Sequence, residues 1–326
     1  MEPLVSVIIV NYNGRHYLRD CFEALKSGAY RNFELVLVDN GSVDGSMAFM
    51  AEHYPEVRLI DNKENLGLAI ASNRGAAIAK GKYLFFFNND TKADSRMLSE
   101  LVRVAESDRS IGICGCTTLT YDGSEVINSG VACDIYGYPY GDGDPLYVDA
   151  AIFIRREVFD EIGGFDPKLF LYGEDRDICW RTLLYGYDVV VVPTAFFLHD
   201  SFCSLNGGKL VTNVWKRHVG ERNLLRSLLK NYSAGSLATI LPRYLLLSLS
   251  EITLFSLLGR FNVVWGAYLK AYLWNIRNIT ETLSLRRRIQ KERRRPDAFV
   301  MKRMGKKSGK LELFRKKGIP RFAPTN

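Results

Sequence analysis

Only four histidines occur among 326 residues, and the six cysteines, at 21, 114, 116, 133, 179 and 203, include no CxxC pair. Neither a disulfide framework nor a structural zinc site is built from such spacing. Cys21 and Cys179 lie in helical-looking stretches and read as small core residues, and this cysteine usage points to a reducing compartment. No GxGxxG follows the first apolar run and no GxxxxGK[ST] occurs anywhere, which removes dinucleotide oxidoreductases and P-loop NTPases from consideration. The opening MEPLVSVIIVNYNG places acidic Glu2 before a short apolar run. The basic start and long apolar core of a signal peptide are both missing, so the run reads as a first strand. The greasiest later segment holds just 16 residues between Arg243 and Arg260. As a helix these span about 24 Å, short of a bilayer core of about 30 Å. Glu251 in their midst adds roughly 2.5–3.5 kcal/mol against insertion. Two helices broken near Gly259, docked on a membrane face or packed together, fit better than a span.

What is present is an ordinary globular balance, with 47% apolar and 25% charged residues. The net charge of +8 is uneven: residues 286–326 hold 16 Lys or Arg and three acids, so the preceding body is net −5. A basic tail behind an acidic body implies a polyanionic partner surface, membrane phosphates or nucleic acid. Phe299, Phe314 and Phe322 are the tail's aromatics, too few for the base stacking that single strands require. RRRIQKERRR at 286–295 instead supplies the electrostatic half of a peripheral anchor, roughly 1 kcal/mol per basic residue near an anionic membrane.

Through residue 120 short apolar runs alternate with helical spacing. Strands are expected over Val7–Val10, Leu35–Val38, Val57–Ile60, Tyr83–Phe87 and Ile111–Cys114. Helices are expected over Tyr17–Lys26, Ser46–His53, Leu68–Ala79 and Arg96–Glu106. This alternation predicts an α/β domain with a doubly wound, mostly parallel sheet covered on both faces. Residues 121–147, rich in Gly, Tyr and Asp, read as a hairpin or mobile loop. Further strands are expected over Ala150–Arg155, Val189–Val192 and Ala195–Leu198, with helices over Glu157–Ile162 and, basic and amphipathic, Lys209–Lys230.

In such a sheet ligands bind beyond the carboxyl ends of the strands. Each exit is polar: Asn11-Tyr12-Asn13, Asp39-Asn40-Gly41-Ser42, Asn62 to Gly67, and Asn88-Asn89-Asp90. Their convergence on one rim is the evidence, since any one alone reads as an ordinary loop. Asp90 at a strand end suits a hard divalent cation; the alternative is a turn. His199 also ends a strand, and structural and ligand readings both stand. In YGEDRDICWR, Glu174, Asp175 and Asp177 crowd the start of a helix. Helix capping explains one acid; three repel one another, raise at least one pKa and make a general base plausible. Glu174 and Asp175 project about 100° apart on a helix, so one faces the cleft, while Asp177 pairs with Arg181 at i+4. In NLGLAIASNRGAA, Asn65 and Gly67 precede a helix of small residues. Either a ligand approaches there, with Asn73 and Arg74 reaching a phosphate or ribose, or the helix packs tightly on the sheet.

VSVIIVNYNG, ELVLVDNGSVDGS, NLGLAIASNRG, FFFNNDT, GGFDPKLFLYGEDRDICWR and FLHDS, in this order over residues 5–201, resemble the family 2 glycosyltransferases, the inverting GT-A class, and most their rhamnosyltransferase-like branch. The resemblance implies a GT-A domain over 1–209, followed by a helical membrane-associating region over 210–285 and a basic tail over 286–326. It implies that Asn11, Tyr12, Asn13, Asp39 and Asn40 hold a nucleobase and ribose, with Asn65, Gly67, Asn73, Asn88 and Asn89 completing the nucleotide-sugar site. Asp90 takes the place of the family's DxD metal motif, whose first acid is here an asparagine, with His199 as second ligand of Mg²⁺ or Mn²⁺. Asp175 matches the catalytic base, with Glu174 beside it. The implied reaction moves a sugar, rhamnose or another hexose, from a nucleotide-diphosphate donor to a glycan or polyprenyl-linked glycan. Its implied place is the cytoplasmic face of the cell membrane, in cell-surface polysaccharide assembly, with no nucleic acid involved. The rival readings are a nucleotidyltransferase, a UDP-hexose-dependent transferase of the same fold, and a non-catalytic binder of nucleotide sugars or nucleic acid.

Overall fold

The computed structural model describes residues 2–139, 144–200, 205–206 and 209–323. The chain divides into two compact units, one of residues 1–131 and 147–201, the other of 132–146 and 202–326.

In the first unit the elements run β1 (Val5–Asn11), α1 (Arg15–Ser27), β2 (Phe33–Asp39), α2 (Ser46–His53), β3 (Arg58–Asp61), α3 (Leu68–Ile78) and β4 (Tyr83–Asn88). Then come β5 (Thr91–Ala93), α4 (Met97–Ser107), β6 (Ile111–Thr120), β7 (Val126–Asn128), β8 (Ala151–Arg155), α5 (Arg156–Ile162), α6 (Glu174–Leu184) and β9 (Asp188–His199). The sheet order is β3-β2-β1-β4-β8-β6-β9-β5, with β7 on β6. The first four strands are parallel, as alternation predicts. β1 and β4 are buried along nearly their whole length because helices cover both faces. On α1 the buried set Leu18, Cys21, Phe22 and Leu25 recurs every three or four residues. Each large apolar member contributes about 1.5–3 kcal/mol on burial.

The sheet is parallel on its β3-β2-β1-β4 side, as expected; β8 lies antiparallel between β4 and β6, so its entry, not its exit, lies on the same rim as the end of β4. Two expectations need correction. The strands expected over Val189–Val192 and Ala195–Leu198 form one strand, β9, because a register shift opposite Cys116–Thr117 absorbs Pro193. The helix expected from Lys209 begins at Val214, where Asn213 caps it by accepting from the Lys216 N–H at 2.7 Å. The hairpin expected in 121–147 forms between β6 and β7; residues 140–143 lie outside the described set, as does Cys203.

The second unit contains β10 (Leu205–Asn206), β11 (Lys209–Thr212), α7 (Val214–Asn231), α8 (Ala234–Leu257), α9 (Phe261–Val263), a π-helical turn (Val264–Leu269) and α10 (Lys270–Arg277). α11 (Ile279–Glu292), α12 (Asp297–Met301), α13 (Gly309–Lys317) and β12 (Arg321–Phe322) complete it. The break near Gly259 is present: α8 stops at Leu257 and Gly259 adopts φ +67°. Phe255 of α8 packs with Val263, Val264, Ala267 and Tyr268 beyond the break. By length and composition α8 is the one helix among the described residues able to cross a membrane. Its Glu251 pairs with Arg217 and Lys310. The sequence sets 286–326 apart as a tail; in the structure residues 286–323 pack within the second unit. Arg286 donates to the Leu229 and Tyr232 carbonyls, and Lys310 is buried against Glu221 and Glu251 at 2.7 and 2.8 Å.

Candidate functional site

Strand register fixes the rim. Asn11 lies opposite Asp39, Val10 opposite Asn88, and Asp39 opposite Asp61, so the four polar exits line up. A chain of side-chain hydrogen bonds joins them. The Asn89 amide donates to Asn11 Oδ1 at 2.7 Å, and Asn11 Nδ2 donates to Asp39 Oδ1 at 2.8 Å and Ser42 Oγ at 3.1 Å. Gly14 makes the first bond possible: a Cβ there would stand 2.1 Å from Asn89 Nδ2. Asn13, at φ +53°, accepts from the Val43 N–H and donates its own N–H to Ser42 Oγ. Asn40 is buried; it donates towards Asn65 Oδ1 and the Gly67 carbonyl and accepts from Asn62.

Asn11 and Asn40 therefore hold the rim together with both ends of their amides, while Tyr12 stands half exposed above it. Gly67 is a packing contact, since a Cβ there would meet the Phe170 ring and carbonyl at 2.5 Å. Asn73 is turned to the backbone: it donates to the Phe165 carbonyl at 2.8 Å and accepts from the Phe165 N–H at 2.9 Å. Arg74 is likewise engaged, with Asn62. Tight helix packing thus accounts for this stretch.

Beyond β4 the chain turns through Asn89 and Asp90 into β5, whose Thr91 lies opposite His199 of β9. This pairing sets Asp90 Oδ1 3.2 Å from His199 Nε2. The Asp90 oxygen is buried without a hydrogen-bond partner. An orphaned carboxylate oxygen facing an imidazole nitrogen suits a hard divalent cation, and these two residues fit the role that the sequence gives them. Among the described residues no group of three or more His, Cys, Asp and Glu side chains converges as a metal cage; further ligands to a cation here would come from substrate and water.

The third part is the start of α6. Tyr172 and Gly173, at φ +65° and +98°, turn the chain into it. Asp177 pairs with Arg181 at 2.9 Å in the interior, and that guanidinium also holds the Ile162 and Gly164 carbonyls. The remaining two acids separate as helix geometry requires. Glu174 is 3% exposed and its Oε2 has no partner; burial pushes its pKa up to about 7. Asp175 lines a small cavity with Asn88, Ala150, Ser72 and Phe165. Its carboxylate accepts from the Ala150 N–H, and burial, then the charges of Glu174 and Asp149, raise its pKa well above the carboxylate range. Ala150 holds φ +58°, uncommon for a residue with a Cβ, and its carbonyl accepts from the Asn88 N–H at 3.1 Å.

Sequence reading missed Asp149 and Asp200. Asp149 is raised by burial while the nearby His199 and Asn128 oppose the rise, so one carboxylate stands close to both His199 and Asp175. Its signal is the entry of an apolar strand, whose antiparallel direction brings that entry to this rim. Asp200 N–H donates to the Asp90 carbonyl, and its side chain accepts from Tyr17 at 2.5 Å, which pushes the phenol up to about 12.

With this geometry in place, comparison with known proteins becomes informative. A family model described as glycosyl transferase family 2 matches residues 6–163. The chain is 35% identical over 118 residues to the glycosyltransferase GlyG of Streptococcus pneumoniae, covering 35% of this chain and 39% of that one. It is 25% identical over 237 residues to the N-acetylglucosaminyl-diphospho-decaprenol L-rhamnosyltransferase of Mycobacterium tuberculosis, covering 61% and 76% respectively. The chain spans about a third of the length of the first curated relatives it matches. A crystal structure of GalNAc-T7 with UDP, GalNAc and Mn²⁺ superposes with a TM-score of 0.58 at 19% identity, over 72% of this chain and 49% of that one, which establishes the GT-A fold. Over residues 6–163, then, the chain carries a domain of glycosyl transferase family 2.

Proposed function

We propose that this chain transfers a sugar, rhamnose in the first instance, from a nucleotide-diphosphate donor to a hydroxyl of a lipid-linked glycan in cell-surface polysaccharide assembly, at the inner face of the cell membrane. The observation that carries the reading is Asp175. Its carboxylate accepts from the Ala150 N–H beside Asn88, and burial, then the like charges of Glu174 and Asp149, raise its proton affinity. A carboxylate held in this way is a stronger base than one in water. The rhamnosyl donor and polyprenyl acceptor are suggested by the mycobacterial relative's name.

In the proposed reaction Asp175 takes the proton of the acceptor hydroxyl as its oxygen bonds to the anomeric carbon. The bond from that carbon to the diphosphate oxygen breaks on the opposite face, and the nucleoside diphosphate leaves. One displacement inverts the configuration, so one base suffices. Asp90 and His199 would hold a divalent cation, which supplies charge neutralisation at the departing diphosphate. Glu174, buried beside Asp175, adds a like charge there only once it ionises, and Asn11, Asn89 and Asp39 keep the rim rigid where Tyr12 and Asn13 meet the nucleoside. Incubation with dTDP-rhamnose or UDP-hexoses and a lipid-linked acceptor, with the product anomer read by NMR, tests this. Inversion is expected; a retained configuration or absence of transfer from every donor contradicts it.

A further inference from the structure

The second unit carries an open cleft of about 800 Å³ whose lining includes Asn213, Trp215, His218, Arg222, Gly266 and Lys270. It has no part in the chemistry above. Arg222 and Lys270 bring two cations to it, and no acidic side chain lines it. Arg222 is held in place: its guanidinium stacks 4.7 Å from the Trp274 ring centre, and Nε donates to Asn223 Oδ1 at 3.1 Å. Among the described residues neither Arg222 nor Lys270 has a carboxylate partner; the charge that Arg222 feels is that of Arg226. Two cations gathered without a counter-charge repel each other, an arrangement that an anion relieves.

The third group is His218, one turn before Arg222 on α7. Its Nδ1 is buried without a hydrogen-bond partner, while the Ala267 carbonyl engages the ring. Burial, then Arg222 and Lys270, hold its pKa down. An orphan imidazole nitrogen needs a partner that either donates a proton or accepts one, and a phosphate monoester does both. Asn213 caps the 18-residue α7 at the same cleft, so the positive end of a long helix adds to the field. Gly266, on the π-helical turn, also lines the cleft, and such turns are frequent at functional sites. At Gly266 in that turn a Cβ would stand 2.5 Å from Val214 Cγ1, so glycine lets the turn close on the start of α7.

The surroundings decide the carrier. Trp215, which lines the cleft, is 43% exposed, and Trp265 and Leu269, next in the chain to its Gly266 and Lys270, are 53% and 37% exposed. Exposed tryptophan and leucine next to basic residues are what a membrane interface selects. We propose that this cleft binds the phosphate or diphosphate head group of a lipid, held by Arg222, Lys270 and His218, with the exposed aromatic and aliphatic side chains against its hydrocarbon. The proposal deepens the acceptor side of the function above and rests on it only for the lipid as carrier.

The test uses the full chain with vesicles of phosphatidylcholine, with and without phosphatidic acid, and inorganic pyrophosphate in solution. Wild type should sediment with the phosphatidic acid vesicles and not with plain ones. Lys270→Ala and Arg222→Gln should each weaken that binding about tenfold, a loss on the scale of a charge-assisted hydrogen bond, while Lys270→Arg restores it. Circular dichroism confirms that each variant is folded. Equal sedimentation with both vesicle types overturns phosphate recognition, and unchanged binding by both variants overturns the site. Pyrophosphate binding with the same residue dependence but no vesicle preference overturns the lipid source. Nucleotide-induced stabilisation, followed in the same variants, should not change; its loss in wild type would count against the transferase reading and leave this cleft's test intact.

Discussion

In the second unit Arg217, Lys310 and Glu221 are buried together and half-buried Glu251 joins them, two cations against two anions. Every one of them is engaged: Lys310 bonds both glutamates, Arg217 reaches both, and Tyr244 donates to Glu221. Burial works against its charge, yet Lys310 and Arg217 hold Glu221 below the usual carboxylate range. The rim of the first unit is built the other way. Asp175 feels the charges of both Glu174 and Asp149, all three acids are raised, and one oxygen of Glu174 and one of nearby Asp90 are left without hydrogen-bond partners. Balanced and bonded charges maintain a fold; crowded and incompletely bonded ones are held in place by the fold for something that is yet to bind.

The comparison can be broken at several points. The largest effect belongs to Asp175→Asn, which keeps the shape and the Ala150 contact but cannot take a proton. Transfer should fall about 10²–10⁴-fold with nucleotide binding retained, as measured by turnover and by nucleotide-dependent melting. Next is Lys310→Ala, which leaves buried Glu221 and half-buried Glu251 facing one arginine. Loss of one partner of a buried pair costs about 3–5 kcal/mol, visible as a lowered Tm. Lys310→Met with Glu251→Gln removes one charge of each sign and should recover most of that loss. If the double variant is as unstable as the single one, balance is not what holds the second unit.

Glu174→Gln sharpens the contrast through pH. Its folded pKa of about 7 exceeds the unfolded value of 4.5. Between these values the folded state binds more protons than the unfolded one, so stability falls as pH rises and levels off above both. Glutamine cannot ionise, and the variant should therefore gain on wild type with rising pH, on the order of 3 kcal/mol near pH 8. Denaturant titrations at acidic and alkaline pH check this, and an equal difference at both would show that Glu174 is not buried as a neutral acid. The smallest effect is Asn89→Ala, which strips the partner from Asn11 Oδ1 and should cost about 1–3 kcal/mol by chemical unfolding.

The parts of the site that lie at strand ends could be read from the sequence. Apolar runs mark the strands, so Asn11, Asp39 and Asp90 fall on one rim by register alone, and the acid-rich start of α6 advertises Asp175. What escaped depends on partners distant in the chain. Asn73 meets Phe165, Gly67 meets Phe170, and Lys310 meets Glu221 and Glu251; no local spacing encodes those meetings. Asp149 escaped for a different reason, because only the reversed direction of β8 brings a strand entry to this rim.

The central claim is that the rim binds a nucleoside diphosphate through a cation held at Asp90 and His199. Thermal unfolding with UDP, dTDP, GDP or CDP, each with and without Mn²⁺, for wild type and Asp90→Ala, tests it most directly. A ligand at a hundred times its Kd stabilises by about 2.7 kcal/mol, and each kcal/mol moves the Tm of a domain this size by roughly 2–4 °C. The account predicts a rise of several degrees with one diphosphate, only with the metal and only with Asp90 in place. No rise with any nucleotide, or one indifferent to both metal and Asp90, would contradict it.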